Sequence, residues 1–380
     1  MQKIKMLNEY KLVRLCAKLK VGDTERKAMR VLLNSSINWN KIVEISRDHK
    51  ILPLLYYTLD KLGLLNGIPQ TVLITLKNHY YSNLLRNLLF EKEIFIIIKR
   101  AGKEHVNIIP FKGFSLICAI YHNVGIRIIS DVDILIRHPE LQKLLNILTQ
   151  LGYRRFSEGE DNLSPEESLH MAIFSKMLTP DLSLIIEIHG ALSYSRPNKI
   201  RIPHLWERAC KENSSGQEML RLSPEDEFLS LVLHLRRHLR HITLKFIIDI
   251  AELVDAYADK LDWPYIIKIA KDNHILTAVY FSLYITEELT IVERCPEALD
   301  KFRPPPITRA LLHSIINKDN FFTCKKWQGT FLRFLLFDKP MDFVIYLWRV
   351  SFWERFITKN FFRKTLPVTM KTSNKEKTRK

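Results

Sequence analysis

The chain has 380 residues, 47% hydrophobic and 26% charged, with 58 Lys+Arg against 41 Asp+Glu for a formal net charge of +17. Its 11 Gly and 16 Pro exclude a collagen-like or low-complexity chain, and at roughly 150 residues per unit the length predicts two or three compact units with sizeable cores. Residues 331–380 alone hold 12 Lys+Arg and 4 Asp+Glu, a local excess that suits polyanions such as nucleotides, nucleic acid or anionic lipid, or that serves only solubility.

The first twenty residues interrupt every apolar stretch with Lys or Arg and show no signal-peptide core. Residues 1–105 carry apolar positions at three and four spacing, as in Leu12, Leu15, Cys16 and Leu19 and again in Leu84, Leu85, Leu88 and Leu89, which predicts an N-terminal helical domain without strands. Capping residues around Ser36 to Asn40 precede one amphipathic run, and Pro53, Gly63 and Gly67 punctuate the next turns. From about 106 the period changes: Val106 to Phe111 reads as a strand, Lys112-Gly113 as a turn, Phe114 to Tyr121 as a helix broken at His122 to Gly125. Asp131 to Ile136 reads as a second strand and Pro139 to Leu151 as a helix stopped at Gly152. Leu169 to Met177 and Leu182 to His189, separated by Leu178-Thr179-Pro180-Asp181, predict an antiparallel hairpin. Ser223-Pro224-Glu225-Asp226 marks a strong helix start: a capping hydroxyl, Pro at the first helical position and acids at the positive helix end. Helical stretches follow at 228–256 and 264–285, and Arg303 to Pro306 marks an end or a linker.

The predicted fold class is therefore α+β. A mixed α/β module at 106–205 lies between a helical domain at 1–105 and another at 206–310, followed by a basic aromatic helical segment at 311–364 and a disordered tail at 365–380. Five scattered cysteines, Cys16, Cys118, Cys210, Cys295 and Cys324, predict a reduced, cytoplasmic protein without disulfides or a zinc site. No apolar run reaches the roughly 18 residues of a spanning helix, so no transmembrane helix is expected.

The chemistry centres on Asp131-x-Asp133. Alternate strand residues share a face, so two carboxylates there project together and call for a cation, and Mg²⁺ bound by carboxylates and substrate phosphates fits that demand. A solvent-facing strand also places two acids side by side without any ligand. Upstream, Lys112-Gly113-Phe114-Ser115 lies where strand turns into helix, a place where free N–H groups and a lysine can meet phosphate. Downstream, Glu187 sits in an apolar strand, where an isolated carboxylate needs a partner, either a metal or an arginine.

At these positions the chain resembles the nucleotidyltransferase superfamily, and within it a bacterial group of uncharacterised nucleotidyltransferase-like proteins with a Lys-Gly turn, an Asp-x-Asp strand and a later acid-x-His strand. The matching residues are Phe111-Lys112-Gly113, Arg127 and Ser130 ahead of Asp131-Val132-Asp133-Ile134-Leu135, Gly152-Tyr153, and Glu187-Ile188-His189-Gly190. Weaker similarity reaches Trp39, His49 with Pro53-Leu54-Leu55, Leu222 to Asp226, His234 and Asp249, so that roughly 35–255 is covered. The resemblance implies a mixed sheet flanked by helices, with Asp131, Asp133 and Glu187 as catalytic, metal-binding acids. It further implies Mg²⁺ or Mn²⁺ as cofactor and an NTP as donor, whose nucleoside monophosphate passes to an unidentified acceptor with release of pyrophosphate. Lys112, Gly113, Ser115, Arg127 and Ser130 are the nucleotide- and phosphate-binding candidates. The chain departs from the superfamily pattern in having Phe114 after Gly113, so that the hydroxyl expected on the triphosphate comes from Ser115 or is absent, and in having Glu as third acid.

His170, His189 and His234 are candidates for the substrate pocket. His234, His238 and His241 recur at i, i+4 and i+7, where a basic, polyanion-binding face is a better reading than a metal site. The segment Phe331 to Lys364 interleaves aromatic and basic residues, consistent with packing on the helical domain or contact with an anionic membrane surface, and less with nucleic-acid stacking. The alternative function is a catalytically inactive protein of the same fold that binds a nucleotide, a membrane surface or a partner. Dinucleotide, P-loop, zincin and α/β-hydrolase motifs are absent from the sequence.

Overall fold

The computed structural model describes residues 7–155, 170–192, 202–290, 296–317, 321–323 and 325–344. The N-terminal region forms α1 (Asn8–Leu15), α2 (Asp23–Leu33), α3 (Trp39–Asp48), α4 (Leu52–Lys61) and the long α5 (Gln70–Lys103). Its boundaries follow local chemistry. The Asn38 side chain caps α3 by accepting from the Lys41 N–H at 3.1 Å, Pro53 occupies the first turn of α4, and Gly63 and Gly67 turn the chain at φ 67° and 87°, where a β-carbon would be strained.

The α/β module follows as β1 (Ile108–Phe111), α6 (Gly113–Leu116) continuing into a π-helical turn at Ile117–Tyr121, β2 (Val132–Ile136), α7 (Leu141–Gln150), β3 (Arg154–Arg155), β4 (His170–Thr179) and β5 (Leu182–His189). These strands build one five-stranded mixed sheet in the order β1-β2-β5-β4-β3. Only the central β2–β5 pair is parallel, and β4 and β5 form the expected hairpin. After α8 (Ile202–Glu207) comes a feature the periodicity did not predict, a two-stranded hairpin of β6 (Cys210–Ser214) and β7 (Gln217–Arg221) inside the segment read as helical. Its strands are largely polar and, Met219 apart, only partly buried, so no apolar alternation announces them. The helical region continues as α9 (Pro224–Arg237), α10 (Leu244–Tyr257), α11 (Trp263–Asp272), α12 (Leu276–Thr290), α13 (Pro296–Lys301), α14 (Pro306–Ile315) and α15 (Lys326–Leu335). Ser223 caps α9, its hydroxyl accepting from the Asp226 N–H at 3.2 Å.

The sheet is covered on both faces, which is why every residue of β1 and β2 is buried. Val132, Ile134 and Ile136 join Ile186 and Ile188 in a core closed by Phe90, Ile94 and Ile97 of α5 and Leu144, Ile147 and Leu148 of α7. On the opposite face, Ile109, Phe111 and Leu135 belong to a core shared by α1 to α4 and by α9, α10 and α12. Alternation along β2 thus places Asp133 on the face that meets α9 and α10.

Part of the aromatic C-terminal segment packs here. Phe337 is buried under the Arg236 guanidinium, 4.5 Å from the ring centroid, and a Cβ at Gly329 would lie 2.1 Å from the Leu239 carbonyl oxygen, so only glycine lets α15 rest on that backbone. Phe331 and Phe334 remain exposed at 41% and 38%. The aromatics from Tyr346 to Phe362 and the tail at 365–380 lie outside the described residues. Among the described residues no helix is long and apolar enough to cross a membrane, and Cys16, Cys118 and Cys210 are free thiols.

Candidate active site

Strand register assembles the site. Asp133 is the direct neighbour of Glu187 across the parallel β2–β5 pair and of Phe111 across the β1–β2 pair, while Leu135 stands opposite His189. Neighbours in register point to the same face, and so do residues two apart on one strand. Asp133, Glu187 and His189, 54 residues apart between the first and second by sequence number, therefore present ligand atoms that all lie within 4.8 Å of one another.

Lys112 and His189 both close on Asp133. Lys112 Nζ lies 2.5 Å and His189 Nε2 2.8 Å from Asp133 Oδ1. Despite burial, the Lys112 charge and the His189 hydrogen bond hold the Asp133 carboxyl well below its usual range. His189 is fully buried, and burial followed by the Lys112 charge pushes it down to about 4. It is thus a neutral imidazole near neutral pH, with Nε2 close to both the Asp133 and the Glu187 carboxylates. Glu187, with 24% of its side chain exposed, is pushed up to about 8 by burial and then by the charges of Asp133 and Asp131. Two carboxylates competing for charge in a shielded place are a demand for a cation. Lys112 supplies one positive charge to Asp133, and the remaining oxygens of Asp133 and Glu187 with the His189 ring are a donor set that suits a divalent ion.

Asp131 is placed differently from the expectation of a strand pair. β2 begins at Val132, so no pleat holds Asp131 in register with Asp133, and it is not among the three residues whose ligand atoms converge. It is half-buried, receives a hydrogen bond from the exposed Ser130 hydroxyl at 3.1 Å, and acts on Glu187 and Lys245 by charge.

The Lys112-Gly113 turn takes an unusual form. Lys112 adopts φ 54° and ψ −122°, a region a β-carbon opposes at a cost of about 1–3 kcal/mol. This conformation directs the Lys112 N–H onto Glu227 Oε1 at 2.6 Å while Nζ meets Asp133. The anion at this amide is thus a side chain from α9, and the buried Ser115 hydroxyl also bonds Glu227. Gly113 is required by a close approach, because a Cβ would lie 2.8 Å from both Arg127 Nη1 and Ile129 Cγ2. Arg127 itself is buried in a bidentate pair with Asp249, Nε donating at 2.7 Å and Nη2 at 2.6 Å, and the Tyr121 hydroxyl donates to the same carboxylate at 2.7 Å. The structure thus shows Arg127 joining the α/β module to α10.

The helical region brings further cations and rings to the acids. His234 lies beside His238, ring centroids 4.5 Å apart and the planes tilted by 46°, and meets Phe246 edge-on at 4.9 Å. Burial, then His238 and Lys112, lower His234 well below its usual value, and His238 is lowered to about 3 by burial and Arg237. Lys245, buried on α10, is lowered to about 7 by burial and Arg127, and the Arg237 charge acts on both Glu187 and His189. His170 stands opposite His189 in the β4–β5 register, and its side chain lies outside the described residues. No motif in the sequence marks Glu227, Arg237 or Lys245 as a site residue. Glu227 belongs to the acidic run after Ser223 that reads as a helix start, and Lys245 is one of 58 Lys+Arg.

A family model described as "Uncharacterised nucleotidyltransferase" matches residues 35–290. This span contains the sheet, the acids and α9 to α12. No curated protein and no solved structure matches the chain.

Proposed function

The chain belongs to the family of uncharacterised nucleotidyltransferases, and from that premise we propose that it is a Mg²⁺- or Mn²⁺-dependent enzyme transferring a nucleoside monophosphate from an NTP to an acceptor. The observation that carries this reading is the register pair Asp133–Glu187, with His189 beside it and its ligand atoms within 4.8 Å. Asp133 and Glu187 would hold the divalent ion, with His189 or Asp131 completing the set, and such an ion supplies charge neutralisation for the triphosphate.

The chain's own residues do the rest. Lys112 keeps Asp133 ionised, and the neutral His189 packs against the same carboxylate. Lys245 and Arg237, whose charges reach the acids from α10 and α9, set a positive potential where phosphate oxygens would lie, which matters because phosphoryl-type transfer depends mainly on positioning and charge. In the transfer, an acceptor oxygen forms a bond to the α-phosphorus, the bond from that phosphorus to the bridging oxygen breaks, and pyrophosphate leaves with the electron pair. The acceptor proton passes to a carboxylate, for which half-exposed Asp131 is the accessible candidate, and then to water.

Purified protein with each labelled NTP and Mg²⁺ or Mn²⁺ should release pyrophosphate, and Asp131→Ala/Asp133→Ala should abolish that release. Equal release by both proteins would refute the enzymatic reading. A second reading, a non-catalytic binder of the same fold, draws on Lys112 already neutralising Asp133 and on the high Glu187 pKa. It predicts nucleotide binding without turnover in the same assay.

A further inference from the structure

A depression of about 370 Å³ lies between α5, α4 and the turn joining β4 to β5, a volume in the range of small-molecule sites. Arg86, His79 and Ser82 of α5 contribute polar lining, and Pro53, Ile128 and Leu182 contribute apolar lining. Its described lining residues include no carboxylate. Arg86 is the telling group. Its Nη2 donates to the Asn83 side chain, its Nε is buried without a hydrogen-bond partner among the described residues, and burial lowers its pKa. A partly desolvated guanidinium with no carboxylate among its described neighbours is costly, and its planar fork suits a carboxylate or phosphate. Burial, then the Arg47 charge, lowers the pKa of His79 in the same lining.

The position relative to the acids gives the depression a role. Ile128 lines it and stands three residues before Asp131 in the loop leading to β2, so their Cα atoms are at most about 11 Å apart. Leu182, also in the lining, begins the strand that carries Glu187. The loop is pinned from α5: Asn83 Nδ2 donates to the Gly125 and Arg127 carbonyls at 2.7 and 3.1 Å, and Asn87 Nδ2 donates to Val124 and Arg127 at 2.5 and 2.8 Å. The cations suited to a triphosphate, Lys112, Arg237 and Lys245, come instead from the β1 end, α9 and α10. On the reading given under Proposed function, on which this inference rests, we propose that the depression is the acceptor subsite and takes a small molecule with an anionic group on an apolar body. Its anion meets Arg86 and its reactive oxygen extends along the Ile128 loop toward Asp131.

Calorimetric titration of the full chain with phenyl phosphate and with phenylacetate tests this, alongside titration with the four α,β-methylene NTPs and Mn²⁺. At least one aromatic probe should bind the wild type, the preferred probe telling phosphate from carboxylate, and Arg86→Gln should weaken it at least tenfold without altering nucleotide-analogue binding. Ser82→Trp, which fills the depression from an exposed helix position, should block the probe and serves as the decisive variant if Arg86→Gln does not fold. Absence of probe binding to the wild type, equal binding by Arg86→Gln or Ser82→Trp, or displacement of the probe by the nucleotide analogue would each overturn the subsite. Loss of nucleotide-analogue binding with the probe still bound would count against the nucleotidyl-transfer reading and leave the anion site standing.

Discussion

Glu227 is a buried acid that accepts from the strained Lys112 amide. Burial pushes it from 4.5 up to about 7, against the Lys112 N–H and Ser115 hydroxyl that lower it. Below about 4.5 the carboxyl is protonated in folded and unfolded chains alike. Between that value and about 7 only the folded chain holds the proton, so stability falls as pH rises through this window. Glu227→Gln keeps an acceptor for Lys112 and cannot ionise. It should therefore gain on the wild type by on the order of 2–3 kcal/mol between pH 4.5 and pH 8, read from urea unfolding at several pH values. Parallel pH profiles for the two proteins would contradict this assignment.

At the scale of elements, the site depends on how tightly α6 approaches the loop before β2. Gly113 faces Arg127 and Ile129 at separations no β-carbon tolerates, and Arg127 cannot yield because Asp249 holds it at two nitrogens. Gly113→Ala should lower stability by about 1–3 kcal/mol through overpacking, and weaken divalent-ion binding by shifting the Lys112 turn. Gly102→Ala is the matched control: it lies in α5 with nothing within 4 Å of the added carbon and should be neutral or stabilise by up to about 1 kcal/mol. Thermal denaturation of the pair checks the contrast, and equal effects would show that the close approach is not what Gly113 serves. The same scale explains why the β6–β7 hairpin escaped the periodicity: five-residue strands with polar residues on both faces carry no alternation to read.

For the whole molecule, the acids lie where the sheet meets the helices, and one core runs from α1 through the sheet face into α12 and α15. A ligand bound at that junction stabilises everything packed around it. A divalent ion at one hundred times its dissociation constant adds about 2.7 kcal/mol to a folded state that alone binds it. Mn²⁺ should thus raise the melting temperature of the wild type and leave Asp133→Asn/Glu187→Gln unchanged. Because Glu187 is pushed up to about 8, the ion must displace a proton there, so the increase should be larger at pH 8.5 than at pH 6.5. An equal Mn²⁺ effect on the double variant would place the ion elsewhere.

Local chemistry by itself determined the element types along most of the chain, the helix starts at Asn38 and Ser223, the β4–β5 hairpin, the turn at Lys112-Gly113, and the candidacy of Asp133 and Glu187, because each rests on residues within a few positions of one another. It also made the family resemblance legible. Tertiary structure alone decided that Glu187 is the register neighbour of Asp133 while Asp131 falls just outside the strand, that His189 and Lys112 share the Asp133 carboxylate, and that Arg127 is committed to Asp249, 122 residues away. Those outcomes depend on which strands pair, in which register, and on which helix covers the sheet. Pairing and coverage are long-range choices, set by burying both faces of β2 at once, and no short window of sequence contains them.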